Sequence, residues 1–137
     1  MSKYILIYAA CYAVLAVVVG VGAYFVEITL NSGVGIGVTL ASVVYPAKCF
    51  FDDFKSMPTK KQKAIFALGV LAVNCIAVAI YVFAVYLPYD INLFYIFTHT
   101  PTVLVAAVPV FAVLIICFSS YFLFGSFVKT FSKNINK

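Results

Sequence analysis

The stretch Lys48–Lys63, KCFFDDFKSMPTKKQK, is the dense run of charge in the interior of this chain. It contains five of the nine lysines, and its acidic residues Asp52 and Asp53 are expected to be solvated counter-charges to them. Long apolar segments lie on both sides of the stretch. Lysines concentrate in the cytoplasmic loops of membrane proteins. The stretch therefore predicts a cytoplasmic connection between two membrane-spanning helices.

The composition predicts that the solvent of this chain is a lipid bilayer. Its 137 residues are 66% hydrophobic and only 9% charged, whereas soluble domains have about 25% charged residues. A helix needs about 20 apolar residues to cross the hydrocarbon. We therefore predict an all-α membrane protein, one transmembrane domain built as a bundle of four transmembrane helices. The predicted spans are 4–26, 33–50, 64–87 and 102–127, with a cytoplasmic basic loop at 51–63.

The first predicted span follows Lys3 and is apolar from Tyr4 to Val26. The apolar core of a signal peptide has only about 7–15 residues, so we expect this segment to be a retained helix. Small residues recur on it at helical spacing, and small residues let helices approach closely in lipid. We therefore predict that this small-residue stripe is the contact face of the first helix. The stripe consists of Ala9, Ala13, Ala16 and Gly20.

The second predicted span contains two features that should affect packing. Gly33 and Gly37 form a G-x-x-x-G pattern, which allows close contact with a neighbouring helix. Pro46 is expected to kink the helix near its inner end, because proline lacks the N–H that the helix requires.

The positions of the lysines predict the orientation. Lys3 lies in the N-terminal segment, five lysines lie in or beside the central loop, three lie in the C-terminal segment, and the other two loops have none. We therefore predict that both termini and the central loop are cytoplasmic. Since the lysines lie at the ends of apolar segments and form no coherent basic face, the net charge of +5 does not indicate a nucleic-acid partner. Contacts with lipid head groups are predicted for Lys48, Lys60, Lys61 and Lys63.

The third helix has a recognisable start. Thr59 and Gln62 have the T-x-x-Q spacing of a capping box, in which each side chain satisfies a backbone N–H at the helix N-terminus. We therefore expect the helix to begin directly after Thr59.

The middle third of the chain resembles a family of small, uncharacterised bacterial inner-membrane proteins with four predicted helices. The chain departs from the family at Ser56 and Met57, where an arginine would be expected before the proline. The resemblance implies a multi-pass protein of the bacterial inner (plasma) membrane, and it implies no activity. The matching residues are Ser32-Gly33 with the glycines that follow, Ala47, Phe50–Phe54, Pro58-Thr59 and Ala67-Leu68-Gly69.

Two polar residues in or beside the spans are candidate sites. Asn74 lies near the middle of the third span, where an interhelical hydrogen bond is the expected role and a contact in a substrate path is the alternative. Glu27 is expected at the outer interface as a solvated carboxylate, and its alternative role is a proton or cation site. His99, the single histidine, is expected to be a hydrogen-bonding residue at the outer interface.

The sequence contains no recognisable constellation for catalysis or for a metal. Group-transfer chemistry needs a nucleophile, a base and a charge stabiliser within reach of one another, and the chain has one histidine, four acidic residues and no arginine. Its four cysteines form no C-x-x-C pair and are expected to be buried, inert thiols. We therefore expect no catalytic residue, no cofactor and no metal, and we do not expect an enzyme.

Two functions remain open at this point. The first is a non-enzymatic accessory membrane protein that binds another membrane protein or an inserting toxin, as immunity proteins do, through its small-residue faces. The second is a small transporter or channel formed by self-association, with Asn74 and Glu27 as its candidate polar groups. The lipid bilayer and either another membrane protein or a second copy of the chain are thus the expected partners.

Overall fold

The structure is a computed structural model. It describes the backbone of residues 1–26, 32–86 and 102–135, and the side chains of residues 1–26, 34–80 and 111–133. The candidate residues Glu27 and His99 lie outside these ranges, as do the side-chain surroundings of Gly33. Within the described residues the chain forms five helices and no strand. They are α1 (Ser2–Val26), α2 (Ser32–Ala41), α3 (Val44–Phe54), α4 (Lys60–Tyr86) and α5 (Thr102–Ile135).

The helices confirm the predicted all-α fold. Four segments are long and apolar enough to cross a membrane, with α2 and α3 together forming the second. The chain is therefore a multi-pass membrane protein built as a helical bundle. The four segments are Ser2–Val26, Val34–Phe54, Lys60–Ile80 and Phe111–Lys133.

The second span is interrupted at Ser42 and Val43, in the turn before Pro46, where the sequence predicts a kink. Pro46 has no N–H to donate to the carbonyl of Ser42, so the regular ladder cannot continue through this point. The Val43 N–H instead donates to the Leu40 carbonyl over 3.2 Å, a bond of three-residue span. The Ser42 hydroxyl turns back and donates to the Val38 carbonyl over 2.7 Å. These two bonds satisfy the Val43 N–H and the Ser42 hydroxyl within the span, as polar groups in hydrocarbon require.

The connection between α3 and α4 is shorter than the predicted loop 51–63. Helix α3 continues to Phe54 because Phe50 and Phe51 are buried against the bundle. It ends at Lys55 in the left-handed conformation, with φ 49°, where the Lys55 N–H donates to the Phe51 carbonyl.

The predicted capping box at the start of α4 is confirmed. The Thr59 N–H donates to Gln62 Oε1 over 2.8 Å, and the Gln62 N–H donates to Thr59 Oγ1 over 3.3 Å. Helix α4 accordingly begins at Lys60.

An aromatic cluster joins the helices at one end of the bundle. The rings of Phe66 (α4) and Phe124 (α5) stack at 4.2 Å between centroids, and Phe50 (α3) meets Phe124 edge-on at 5.4 Å. From α1, Tyr4 packs on Phe50 and Tyr8 packs on Phe66. We call this the lysine-rich end, since the N-terminus of α1, the α3–α4 connection and the C-terminal part of α5 meet here. Burial of Val128 also explains why α5 extends past the predicted limit of residue 127.

The small-residue stripe of α1 is only partly covered within the chain, and its role as a contact face stays a prediction. Ala13 and Ala16 are exposed and Ala9 and Gly20 are half-buried. Ala16 and Gly20 border a cavity that Val38 of α2 also lines. A Cβ placed on Gly20, or on Gly37 of α2, would meet nothing within 4 Å. The fully buried residues of α1 are Tyr4 and Tyr8, because large aromatic side chains bury more area than alanines do.

Close approach of α1 and α4 occurs at Gly69. A Cβ placed on Gly69 would overlap the side chain of Ile5. Glycine here therefore provides the space into which Ile5 packs, the role that small residues have between helices in lipid.

We expect Gly69→Val to lower the free energy of unfolding by about 1–3 kcal/mol, because the added side chain collides with Ile5. Unfolding by SDS in mixed micelles measures this. Gly37→Val is the matched control, since the same substitution there enters open space. Ile5→Ala should recover part of the loss caused by Gly69→Val. An equal loss in both valine variants would contradict the Ile5–Gly69 contact.

Candidate functional site

Asn74 of α4 joins three helices through its side chain. Its Nδ2 donates to the hydroxyl of Tyr8 in α1 over 3.0 Å and to the Val70 carbonyl in its own helix over 2.9 Å. Its Oδ1 accepts from the hydroxyl of Thr39 in α2 over 3.0 Å. Both amide hydrogens and the carbonyl oxygen of Asn74 are thereby engaged, and the residue is 8% exposed.

Thr39 completes this network on the side of α2. It is 2% exposed, and its hydroxyl lies 3.0 Å from both Asn74 Oδ1 and the Gly35 carbonyl. A hydroxyl has one hydrogen, so the two acceptors share it. Interhelical hydrogen bonds in membranes contribute about 0.6–2 kcal/mol each. The network of Tyr8, Thr39 and Asn74 therefore fixes the register of α1, α2 and α4.

The expected role of Asn74 as an interhelical hydrogen-bonding residue matches this geometry. A polar group in a substrate path would face a cavity, whereas Asn74 faces two side chains and a carbonyl of the protein. Chemically the network can align helices, and its three members include no acid or base that would exchange protons readily.

One buried hydroxyl lies outside the network. Ser120 of α5 is 0% exposed, and among the described side chains its Oγ alone is fully buried without a hydrogen-bond partner. A serine in an apolar helix commonly returns its hydroxyl to a carbonyl of the preceding turn, as Ser42 does with Val38. Ser120 is therefore the least satisfied polar position in the described part of the bundle.

Asp53 ties α1 to α3 at the lysine-rich end. Its Oδ2 accepts from Lys3 Nζ and from the Tyr4 hydroxyl, each over 2.7 Å. Asp52 faces Lys55 at 3.5 Å. Exposed ion pairs contribute about 0–1 kcal/mol, so the Asp53 contact mainly orients the start of α1. Asp52 is an exposed counter-charge, as expected. The contact of Asp53 with α1 was not expected.

The lysines predicted to contact lipid head groups have different surroundings. Lys48, Lys60 and Lys61 are exposed. Lys63 is half-buried, and its side chain lies against Gly125 of α5. Its Nζ lies 5.6 Å from the centre of the Tyr121 ring, also in α5. Lys63 therefore also packs α4 against α5.

The sequence did not predict that Tyr8 and Thr39 bond to Asn74. It also did not predict that Asp53 contacts α1. Tyr8 and Asn74 are 66 positions apart, and Thr39 and Asn74 are 35 apart. The available signal was polarity, since an asparagine, a threonine and a tyrosine hydroxyl inside apolar helices each require a partner. Which residues would pair depends on helix packing, which composition does not specify.

No group of three or more histidine, cysteine, aspartate or glutamate residues is placed to hold a metal ion in the described part of the chain. The described cysteines Cys11, Cys49, Cys75 and Cys117 are free thiols.

Comparison with protein-family models, with curated proteins and with solved structures finds no match to this chain. The resemblance to bacterial four-helix inner-membrane proteins therefore stays a prediction.

We expect Tyr8→Phe to lower the free energy of unfolding by about 1 kcal/mol and Asn74→Leu by about 2 kcal/mol, because the first removes one interhelical hydrogen bond and the second removes two. The double variant should lose less than the sum, with a coupling of about 1 kcal/mol in a double-mutant cycle. Unfolding by SDS of the unchanged protein, the two single variants and the double variant measures this. Tyr12→Phe is the control, because Tyr12 stacks on Tyr8 without bonding to Asn74. Additivity of Tyr8→Phe with Asn74→Leu would contradict the network.

Proposed function

We propose that this protein is a non-enzymatic accessory protein of the bacterial inner membrane, which binds another membrane protein or an inserting toxin through one face of α1. The observation that carries the proposal is the small-residue stripe, which the fold leaves partly uncovered. Ala13 and Ala16 are exposed, and Gly20 has open space beside it. Helices associate in lipid through such faces, because small side chains allow close backbone contact.

The opposite properties of the two α1 faces support this assignment. Tyr4 and Tyr8 hold α1 in the bundle from one side, so the stripe can contact a second protein without unfolding the first. Valines form part of the remaining exposed surface of α1, with Val18 60% and Val21 50% exposed. They suit contact with acyl chains and allow less close approach than alanine.

The closed polar network favours a binding protein over a transporter. Tyr8, Thr39 and Asn74 engage one another, so they present no set of polar groups to a passing solute. An immunity-type protein needs no such set, since it acts by contact with the inserted toxin.

A self-associating transporter or channel is the second candidate, and one observation favours it. The second span is broken at Ser42 and Val43, and broken helices are common at the binding sites of transporters. The buried, unpartnered hydroxyl of Ser120 is a second polar position that such a function could use.

Native mass spectrometry of the tagged protein, extracted from its own membrane in a mild detergent, distinguishes the two candidates. The first predicts a second protein bound in simple stoichiometry. Ala13→Leu combined with Ala16→Leu should abolish that complex and, for an immunity-type protein, the protection of cells against the toxin. The unfolding free energy should be unchanged, because both alanines are exposed.

Val18→Phe combined with Val21→Phe is the matched control. It adds comparable bulk to exposed positions of the same helix away from the stripe, and the complex should persist. A homo-oligomer without a second protein or a protective phenotype would contradict the accessory function. In that case solute flux in proteoliposomes would be measured, with Asn74→Leu and Glu27→Gln as the test variants.

A further inference from the structure

A continuous apolar groove runs between α1 and the broken second span. It consists of two open cavities, of about 500 Å³ and about 290 Å³, which share Leu15 and Ala41. Along α1 the groove extends from Ala10 to Val19. At a rise of about 1.5 Å per residue, it is about 14 Å long.

The groove exists because α2 presents small residues where it faces α1. Gly37 and Ala41 line it, and no side chain of α2 fills the space that they leave. The break at Ser42 and Val43 then redirects the chain, so that Val44 and Tyr45 of α3 form the wall nearer the lysine-rich end.

One end of the groove carries a positive charge. Lys48 of α3 and Phe131 of α5 line the larger cavity at the lysine-rich end. Lys48 is exposed, and the acidic side chains of α3 contact other lysines: Asp52 faces Lys55, and Asp53 faces Lys3. Within the described residues, the ammonium group of Lys48 is thus not neutralised by an ion pair.

The apolar lining and this charge fit an anionic phospholipid. One leaflet contributes about half of the roughly 30 Å hydrocarbon thickness, so an acyl chain that enters at the lysine-rich end is long enough to reach the larger cavity, which Ala10 and Leu15 of α1 line. A helix is about 10 Å wide. An extended acyl chain is much narrower, and its head group would lie at the charged end.

We propose that this groove binds one acyl chain of an anionic phospholipid, with the lipid phosphate paired to Lys48. The lipid comes from the leaflet at the lysine-rich end. Pairing with a lysine near the membrane surface contributes an attraction that corresponds to about a fivefold change in affinity. This site uses other residues of α1 than the protein-binding stripe, and it does not depend on the function proposed above.

Native mass spectrometry of the purified, delipidated full-length chain tests the site. The chain is titrated with phosphatidylglycerol and with phosphatidylcholine that carry the same acyl chains, so that the two lipids differ only in the head group. We expect one phosphatidylglycerol to bind about fivefold more tightly than phosphatidylcholine. Lys48→Gln should remove this preference, and Lys61→Gln, at another exposed lysine of the same end, should retain it.

A second variant tests the groove itself. Ala10→Phe places a ring in the larger cavity from an exposed position, so both lipids should bind at least fivefold more weakly while the unfolding free energy stays the same. Unchanged binding in Ala10→Phe would overturn the proposal, as would equal effects of Lys48→Gln and Lys61→Gln. A dimer that excludes lipid and dissociates in Ala10→Phe would assign the groove to a second copy of the chain and would also overturn it.

Discussion

The requirement that polar groups inside hydrocarbon find partners within the protein determines how this bundle is aligned. A membrane provides no water to the middle of a helix, so an amide there must be satisfied by the chain itself. Asn74 meets this requirement by bonding to Tyr8 and Thr39, which lie on two other helices. A shift of α1 or α2 by one turn would separate these atoms and leave the amide partly unpaired. The network therefore selects one register among many packings that would bury similar apolar area.

The break in the second span follows from the same requirement. Pro46 removes a backbone donor, and the chain responds with the local bonds of Ser42 and Val43. The short helix after the break then brings Phe50 to the aromatic cluster with Phe66 and Phe124. Tight packing is thus concentrated at the lysine-rich end, whereas the part of α1 beyond Tyr12 has exposed small residues and borders the open groove. The surfaces available for binding lie where the internal packing is weakest.

The sequence predicts well the features that depend on composition or on neighbouring residues. Four membrane-spanning segments follow from the scarcity of charge, and the start of α4 follows from Thr59 and Gln62, which are three positions apart. Pro46 predicts an interruption of the second span, and the interruption lies at Ser42 and Val43, in the turn before the proline.

The sequence does not specify which face of one helix meets another. In water, an apolar stripe marks the buried side of a helix, but lipid is as apolar as the protein interior. Nearly every residue of α1 is apolar, so hydrophobic periodicity does not distinguish the face of Tyr4 and Tyr8 from the small-residue stripe. The contact of Asp53 with Lys3 and Tyr4 also could not be predicted from the sequence, because it depends on where α1 lies in the bundle. These contacts become visible only once the helices are packed.

Hydrogen–deuterium exchange of the Asn74 side-chain amide, followed by solid-state NMR in lipid bilayers, tests the closed network most directly. The side-chain amide of Gln62, in the exposed capping box at the lysine-rich end, serves as the internal reference. We predict that the Gln62 amide exchanges rapidly while the Asn74 amide stays protonated, because both of its hydrogens are held by Tyr8 and Val70. Rapid exchange at Asn74 would mean that water reaches the middle of the bundle. That result would contradict the closed network and favour a path for solutes.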